Sequence, residues 1–171
     1  MTRYAVFLRG VNVGGVTLKM ADVARVLTEA GFADVKTILA SGNVLLDSAS
    51  DATAVRTGAE RALRDAFGYE AWVLVYDLGE LRTVSANYPF EREVEGHHSY
   101  VTFVSDTAML DELAALEPGA EEKVDRGDGV LYWQVARSAT LASTIGKTMG
   151  QKRYKSSTTT RNLHTLDKVL R

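Results

Sequence analysis

The chain opens on an uninterrupted apolar stretch, Tyr4-Ala-Val-Phe-Leu8, that gives way to a polar, glycine-bearing segment, Arg9-Gly-Val-Asn-Val-Gly-Gly15. A short continuous run of Val, Phe and Leu predicts a strand covered on at least one face. After Thr17, a candidate N-cap, the period changes. Met20, Val23, Val26, Leu27 and Ala30 recur at three and four, one face of a helix running to about Ala30. Gly31 then predicts a left-handed helix end, with Phe32 docking back on the apolar face. Two β-type runs, 35–39 and 43–46, flank Ala40-Ser41-Gly42, a connection short enough for antiparallel strands or a bulged bend. Ser50 or Asp51 caps a second helix with Val55, Ala59, Ala62, Leu63 and Ala66 on one face, ending at Gly68. A strand over 71–76 follows. The first 76 residues thus read β-α-β-β-α-β, the order of the ferredoxin-like unit, an antiparallel sheet with two helices on one face.

Residues 77–171 repeat the alternation less regularly. Asp77 with Glu80 forms a capping box for a helix that Pro89 stops. The charged stretch 90–97 reads as a loop, and 99–104 as a strand. Asp106 caps a helix over 106–116, with Leu110, Leu113 and Leu116 inside. Gly127-Asp128-Gly129 turns a hairpin between 121–126 and 130–136. A helix over 139–149 precedes a basic, Ser/Thr-rich stretch. The last helix, about 160–170, is capped by Thr158, Thr159 or Thr160 and carries Leu163, Leu166 and Leu170. The expected fold is therefore α+β: a ferredoxin-like βαββαβ subdomain over 1–76 and a smaller αβαββαα subdomain over 77–171 with C-terminal helices.

Composition narrows the chemistry. The 171 residues include no cysteine, which excludes disulfides, thiolate metal sites, iron–sulfur clusters and cysteine nucleophiles. No apolar run reaches the roughly 18–20 residues of a membrane span, and no targeting segment is visible, so a cytoplasmic protein is expected. The net charge of −2 hides an asymmetry. Residues 106–128 are acidic, whereas 147–171 carry Lys147, Lys152, Arg153, Lys155, Arg161, Lys168 and Arg171 against Asp167 alone. Such a segment either meets an anionic partner or complements the acidic stretch within the fold.

Candidate chemistry sits in polar loops. Arg9, Asn12, Gly14 and Gly15 could cradle an anion with backbone N–H groups beside a cation, or simply form a turn needing positive φ. The glycine spacing is not that of a dinucleotide loop, and Gly146-Lys147-Thr148 lacks the leading glycine and strand of a nucleotide P-loop. In 152–162, Lys152, Arg153, Lys155 and Arg161 surround Tyr154 near a predicted helix start. Arg161 in a first helical turn opposes the macrodipole unless an anion or a carboxylate of the acidic segment pairs with it. His97 and His98 are adjacent, so in a strand they point to opposite faces, and with His164 alone beside them no metal site is expected. Ser41 and Ser143 lack a visible base, and Trp72 and Trp133 read as core.

These same segments carry a family resemblance. Residues 4–15, Ala40-Ser-Gly-Asn43 and Thr158-Thr-Thr-Arg-Asn162, with Thr165 after it, make the chain resemble the bacterial domain of unknown function 1697 (DUF1697) over nearly its whole length. The resemblance implies a ferredoxin-like subdomain beside a second α+β subdomain. It implies no activity, cofactor or catalytic residue. Cores do not require Arg, Asn, Ser and Gly of this kind. The expectation is a polar site built by Arg9, Asn12, Gly14, Gly15, Ser41, Asn43, Lys152, Arg153, Lys155, Thr160, Arg161 and Asn162. Its expected occupant is a phosphorylated or otherwise anionic small molecule, a nucleotide among them. An enzyme acting on such a ligand by electrostatic stabilisation is the alternative. A nucleic-acid module using 147–171 is the less favoured one. No cofactor, metal or membrane partner is expected, and oligomeric state stays open.

Overall fold

The computed structural model describes residues 1–9, 17–40, 42–92, 94–119, 122–137, 147–148, 151–154 and 157–171. Its fold is α+β, with two four-stranded antiparallel sheets. Contacts group the chain into two units, Met1–Leu81 and Arg82–Val169.

The first unit contains β1 (Thr2–Leu8), α1 (Met20–Glu29), β2 (Ala33–Ile38), β3 (Asn43–Ser48), α2 (Ala52–Phe67) and β4 (Val73–Asp77). Its strands lie in the order β2-β3-β1-β4. Tyr4, Val6 and Leu8 of β1 join Val44, Leu46 and Val73 in a core covered by Val23 and Leu27 of α1 and Val55, Ala59 and Leu63 of α2. These helix residues are the predicted apolar stripes. The end of α1 matches its prediction. Gly31, at φ 102°, donates to Thr28 O, Phe32 donates to Leu27 O, and the Phe32 ring packs on the core. Its start does not, because Lys19 rather than Thr17 is the N-cap residue and offers no side-chain bond. Asp51 caps α2, its carboxylate accepting from Ala54 N at 2.8 Å. Arg3 of β1 ties β2 and β3 to its own strand by donating to Asp34 O and Asp47 Oδ1.

A third helix, α3 (Leu78–Ala86), opens with Asp77 Oδ1 accepting from Glu80 N. The second unit then carries β5 (His97–Val104), α4 (Thr107–Ala114), β6 (Glu122–Arg126), β7 (Val130–Ala136), a 3₁₀ turn at Lys152–Tyr154, β8 (Thr158–Asn162) and α5 (Leu163–Val169). Asp106 caps α4 through Met109 N as predicted. Strand β5 starts at His97, two residues earlier than the apolar pattern indicates. Val104, Leu110, Leu113, Leu131, Trp133, Val135 and Tyr154 form the core on one face of this sheet. The predicted helix over 139–149 falls largely outside the described residues.

The main departure lies at the C-terminus. The last helix does not begin near residue 160. Thr158–Asn162 form a strand paired antiparallel with β5, from Val104↔Thr158 to Tyr100↔Asn162. β-branched threonines suit a pleated strand, and here they complete the edge of β5. The hydroxyls of Thr102 and Thr160 lie 2.8 Å apart. The second sheet thereby acquires the order β6-β7-β5-β8, which repeats that of the first strand for strand. No helix among the described residues is long and apolar enough to cross a membrane.

Candidate functional site

In the first unit two of the sequence segments converge at the C-terminal end of β1. Phe7 lies opposite Asn43 and Leu8 opposite Val73, so the starts of β3 and β4 flank the point where the chain leaves the sheet. Leu8 N–H donates to Gly42 O at 2.8 Å, and Arg9 N–H donates to Trp72 O at 3.0 Å. The Arg9 backbone is thus an added rung of the ladder, which fixes the root of its side chain. That side chain is half-buried, and its Nε is enclosed without a hydrogen-bond partner among the described residues. Loss of solvent pulls the guanidinium below its ordinary pKa, with no neighbouring carboxylate among the causes. A desolvated charge with no countercharge is costly unless something pairs with it.

Asn43 has a different part. It is buried, and Nδ2 donates to Ile38 O at 3.0 Å, tying together the two ends of the β2–β3 connection. Trp72 stands one residue before β4, half-buried rather than in the strand, and the Arg64 guanidinium lies 5.0 Å from its ring centre. Arg64 also donates to Ala71 O, so a second cation is held beside this end of the sheet. Asn12, Gly14, Gly15 and Ser41 lie outside the described residues.

In the second unit two cations of the basic segment, Arg153 and Arg161, have internal partners. Arg153 pairs with Glu112 and lies over the Tyr154 ring at 4.8 Å, while Tyr154 Oη donates to the same carboxylate. Arg126 pairs with Asp111. One pair, Arg153–Glu112, thus joins the basic stretch to the acidic one, whereas Arg126 and Asp111 pair within the acidic stretch itself. Arg161 is not in a helical turn, so the macrodipole conflict does not arise. It is buried in β8 opposite Val101, and Nη1 donates to Thr159 Oγ1 at 2.7 Å and Thr160 O at 3.0 Å. Lys152 belongs to the 3₁₀ turn, and Lys155 lies outside the described residues.

Asn162, the last residue of β8, accepts from His164 N at 2.8 Å and so caps α5. It also lines a cleft of about 770 Å³ at the start of β5. One wall is held by Arg92, whose Nη2 donates to both oxygens of Asp167 at 2.8 and 3.0 Å and whose Nη1 donates to Ser85 O at 2.7 Å. Gln134 Nε2 reaches Glu91 O and Ser99 Oγ, which pins the loop before β5. The sequence gives no sign of this cleft, because its residues come from separate segments with no shared motif. Among the described residues no group of three or more His, Asp or Glu is placed to hold a metal ion.

The model of a family described as a protein of unknown function, DUF1697, matches residues 1–132. A solved structure, that of the conserved bacterial protein SP0830 from Streptococcus pneumoniae, is similar with a TM-score of 0.83. The match spans 99% of this chain and 96% of that one at 22% identity, a likeness of fold. Among curated proteins nothing matches.

Proposed function

The chain belongs to the DUF1697 family of proteins of unknown function, so membership supplies no activity, and we propose that it binds an anionic, phosphorylated small molecule through Arg9. One observation carries this reading: Arg9 is partly desolvated, its Nε is enclosed, and no described residue pairs with it. A fold keeps such a group at a cost, and an incoming phosphoryl group would supply the missing countercharge and accept its N–H donors. The backbone rungs at Leu8 and Arg9 support it by fixing the position of the guanidinium before a ligand arrives. Arg153 and Arg161 have partners within the second unit, which favours Arg9 over the basic segment and weakens the nucleic-acid alternative. We also take the first unit as ferredoxin-like, on its βαββαβ order and the strand order β2-β3-β1-β4.

A melting-temperature screen of nucleotides, sugar phosphates and polyphosphates tests this. A ligand at a hundred times its dissociation constant adds roughly 2.7 kcal/mol, a rise of roughly 5–10 °C for a chain of this size. The expected result is a rise with one phosphorylated class that Arg9→Ala diminishes. A rise that the substitution leaves undiminished, or no hit in the whole set, contradicts the proposal.

A further inference from the structure

The cleft of the second unit has a property that its sequence neighbours conceal: all three histidines of the chain line it. His97 and His98 are the first two residues of β5 and project to opposite sides of the strand. Both reach the cleft because it wraps around the strand's end. His164 comes from α5 and Asn162 from β8. Arg137, immediately after β7, completes the lining; its backbone N–H donates to Gly96 O at 2.9 Å, extending the β5–β7 ladder.

The donors and acceptors here do not balance. Arg92 and Asp167 neutralise each other. Asn162 Oδ1 is taken by His164 N, which leaves its amide N–H₂ to donate. His97 Nδ1 stands 3.1 Å from Glu95 O, so that nitrogen carries the proton. The Arg137 guanidinium, exposed at the cleft, has no partner among the described residues. Among the described residues that line the cleft, what remains is one unpaired guanidinium, imidazoles with one N–H each to donate, and one amide, opposed by the single carboxylate of Glu95. We infer that this cleft is a second ligand site, distinct from Arg9, that takes a compact phosphate group through Arg137, His98, His164 and the Asn162 amide. A tetrahedral phosphoryl group offers acceptor oxygens in several directions, as donors arriving from β5, β8, α5 and the end of β7 require. A flat carboxylate would leave part of this set unused.

Having all its histidines in one place makes the protein its own reporter. Proton NMR of the imidazole C2 signals would be followed during titration with inorganic phosphate at constant pH. Sodium chloride of equal ionic strength is the control. The expected result is a saturable movement of the His98 and His164 signals with phosphate that chloride does not reproduce. Arg137→Gln, at an exposed position, should keep its melting temperature and bind about tenfold more weakly, the loss of one charge-assisted hydrogen bond. Arg9→Met should titrate like wild type, which separates this site from the one proposed above. Absent or non-saturating shifts, equal movement with chloride, wild-type behaviour in Arg137→Gln, or loss of the shifts in Arg9→Met would each overturn the assignment.

Discussion

Two side chains of the first unit hold buried polar atoms without partners among the described residues, Arg9 Nε and Tyr69 Oη, and they call for opposite treatment. Tyr69 packs its ring against an apolar core, and burial raises its phenol pKa. Nothing about its setting suggests a ligand, so its hydroxyl is a plain cost. Tyr69→Phe should stabilise the protein by about 1 kcal/mol, the penalty of an unsatisfied buried hydroxyl, as read from urea unfolding. Arg9 carries a formal charge and stands where the chain leaves a rigid sheet, a setting in which a deficit can be used. Gly127 is a third position where one atom matters. A Cβ there would lie 2.5 Å from Tyr132 Cε2 and 2.8 Å from Val130 Cγ2. Gly127→Ala should therefore cost roughly 1–3 kcal/mol by overpacking the hairpin, lowering the unfolding midpoint.

At the scale of elements, what the sequence made legible was whatever depends on apolar periodicity. The stripes of α1, α2 and α4, the buried run of β1 and the hairpin at residues 127–129 are all visible in the order of residues. Strand β8 was not, because Thr-Thr-Thr-Arg-Asn is polar throughout. Its burial is satisfied by hydroxyl and guanidinium hydrogen bonds rather than by apolarity. With no hydrophobic alternation to mark the strand, the leucines beyond it drew the helix boundary too early. The correction gives Asn162 a role at the start of α5. Asn162→Ala should cost about 1 kcal/mol through loss of the cap, measured by thermal or urea unfolding. The candidate site divides in the same way. Arg9 stood out through its glycine-rich setting, whereas Arg137 and the histidine cluster depend on which strand ends the sheet brings together.

At the scale of the molecule, the two sheets share one strand order, an echo that the element pattern suggests only in part because β8 is hidden. The charge asymmetry, which invites a nucleic-acid reading, is met in part by the pair Arg153–Glu112, while Arg92 pairs with Asp167, the one acid of the basic stretch. Exposed pairs contribute little individually, and Arg92→Ala should cost about 1 kcal/mol or less, with the loss shrinking at high salt. Alkaline behaviour is also set by the fold. Burial, reinforced by Glu80, pushes the Tyr76 phenol well above its ordinary range. Its contribution to stability is complete below the unfolded pKa near 10 and is lost as pH rises above that value, since the unfolded chain releases the proton first. Absorbance titration should show this phenol ionising together with unfolding rather than before it.

The central proposal is that Arg9, which has no partner among the described residues, awaits an anion, and a comparison of melting temperatures for wild type and Arg9→Met, with and without saturating pyrophosphate, tests it most directly. Binding at Arg9 predicts a crossing. Without ligand the variant should melt about 2–4 °C higher, as removal of a desolvated, unpaired charge worth about 1 kcal/mol requires. With pyrophosphate the wild type should rise above it while the variant stays where it was, beyond any response left by the histidine cleft and removed by Arg137→Gln. A variant that melts lower than wild type in plain buffer, or one that gains as much from the anion, would mean that Arg9 serves the fold and not a ligand.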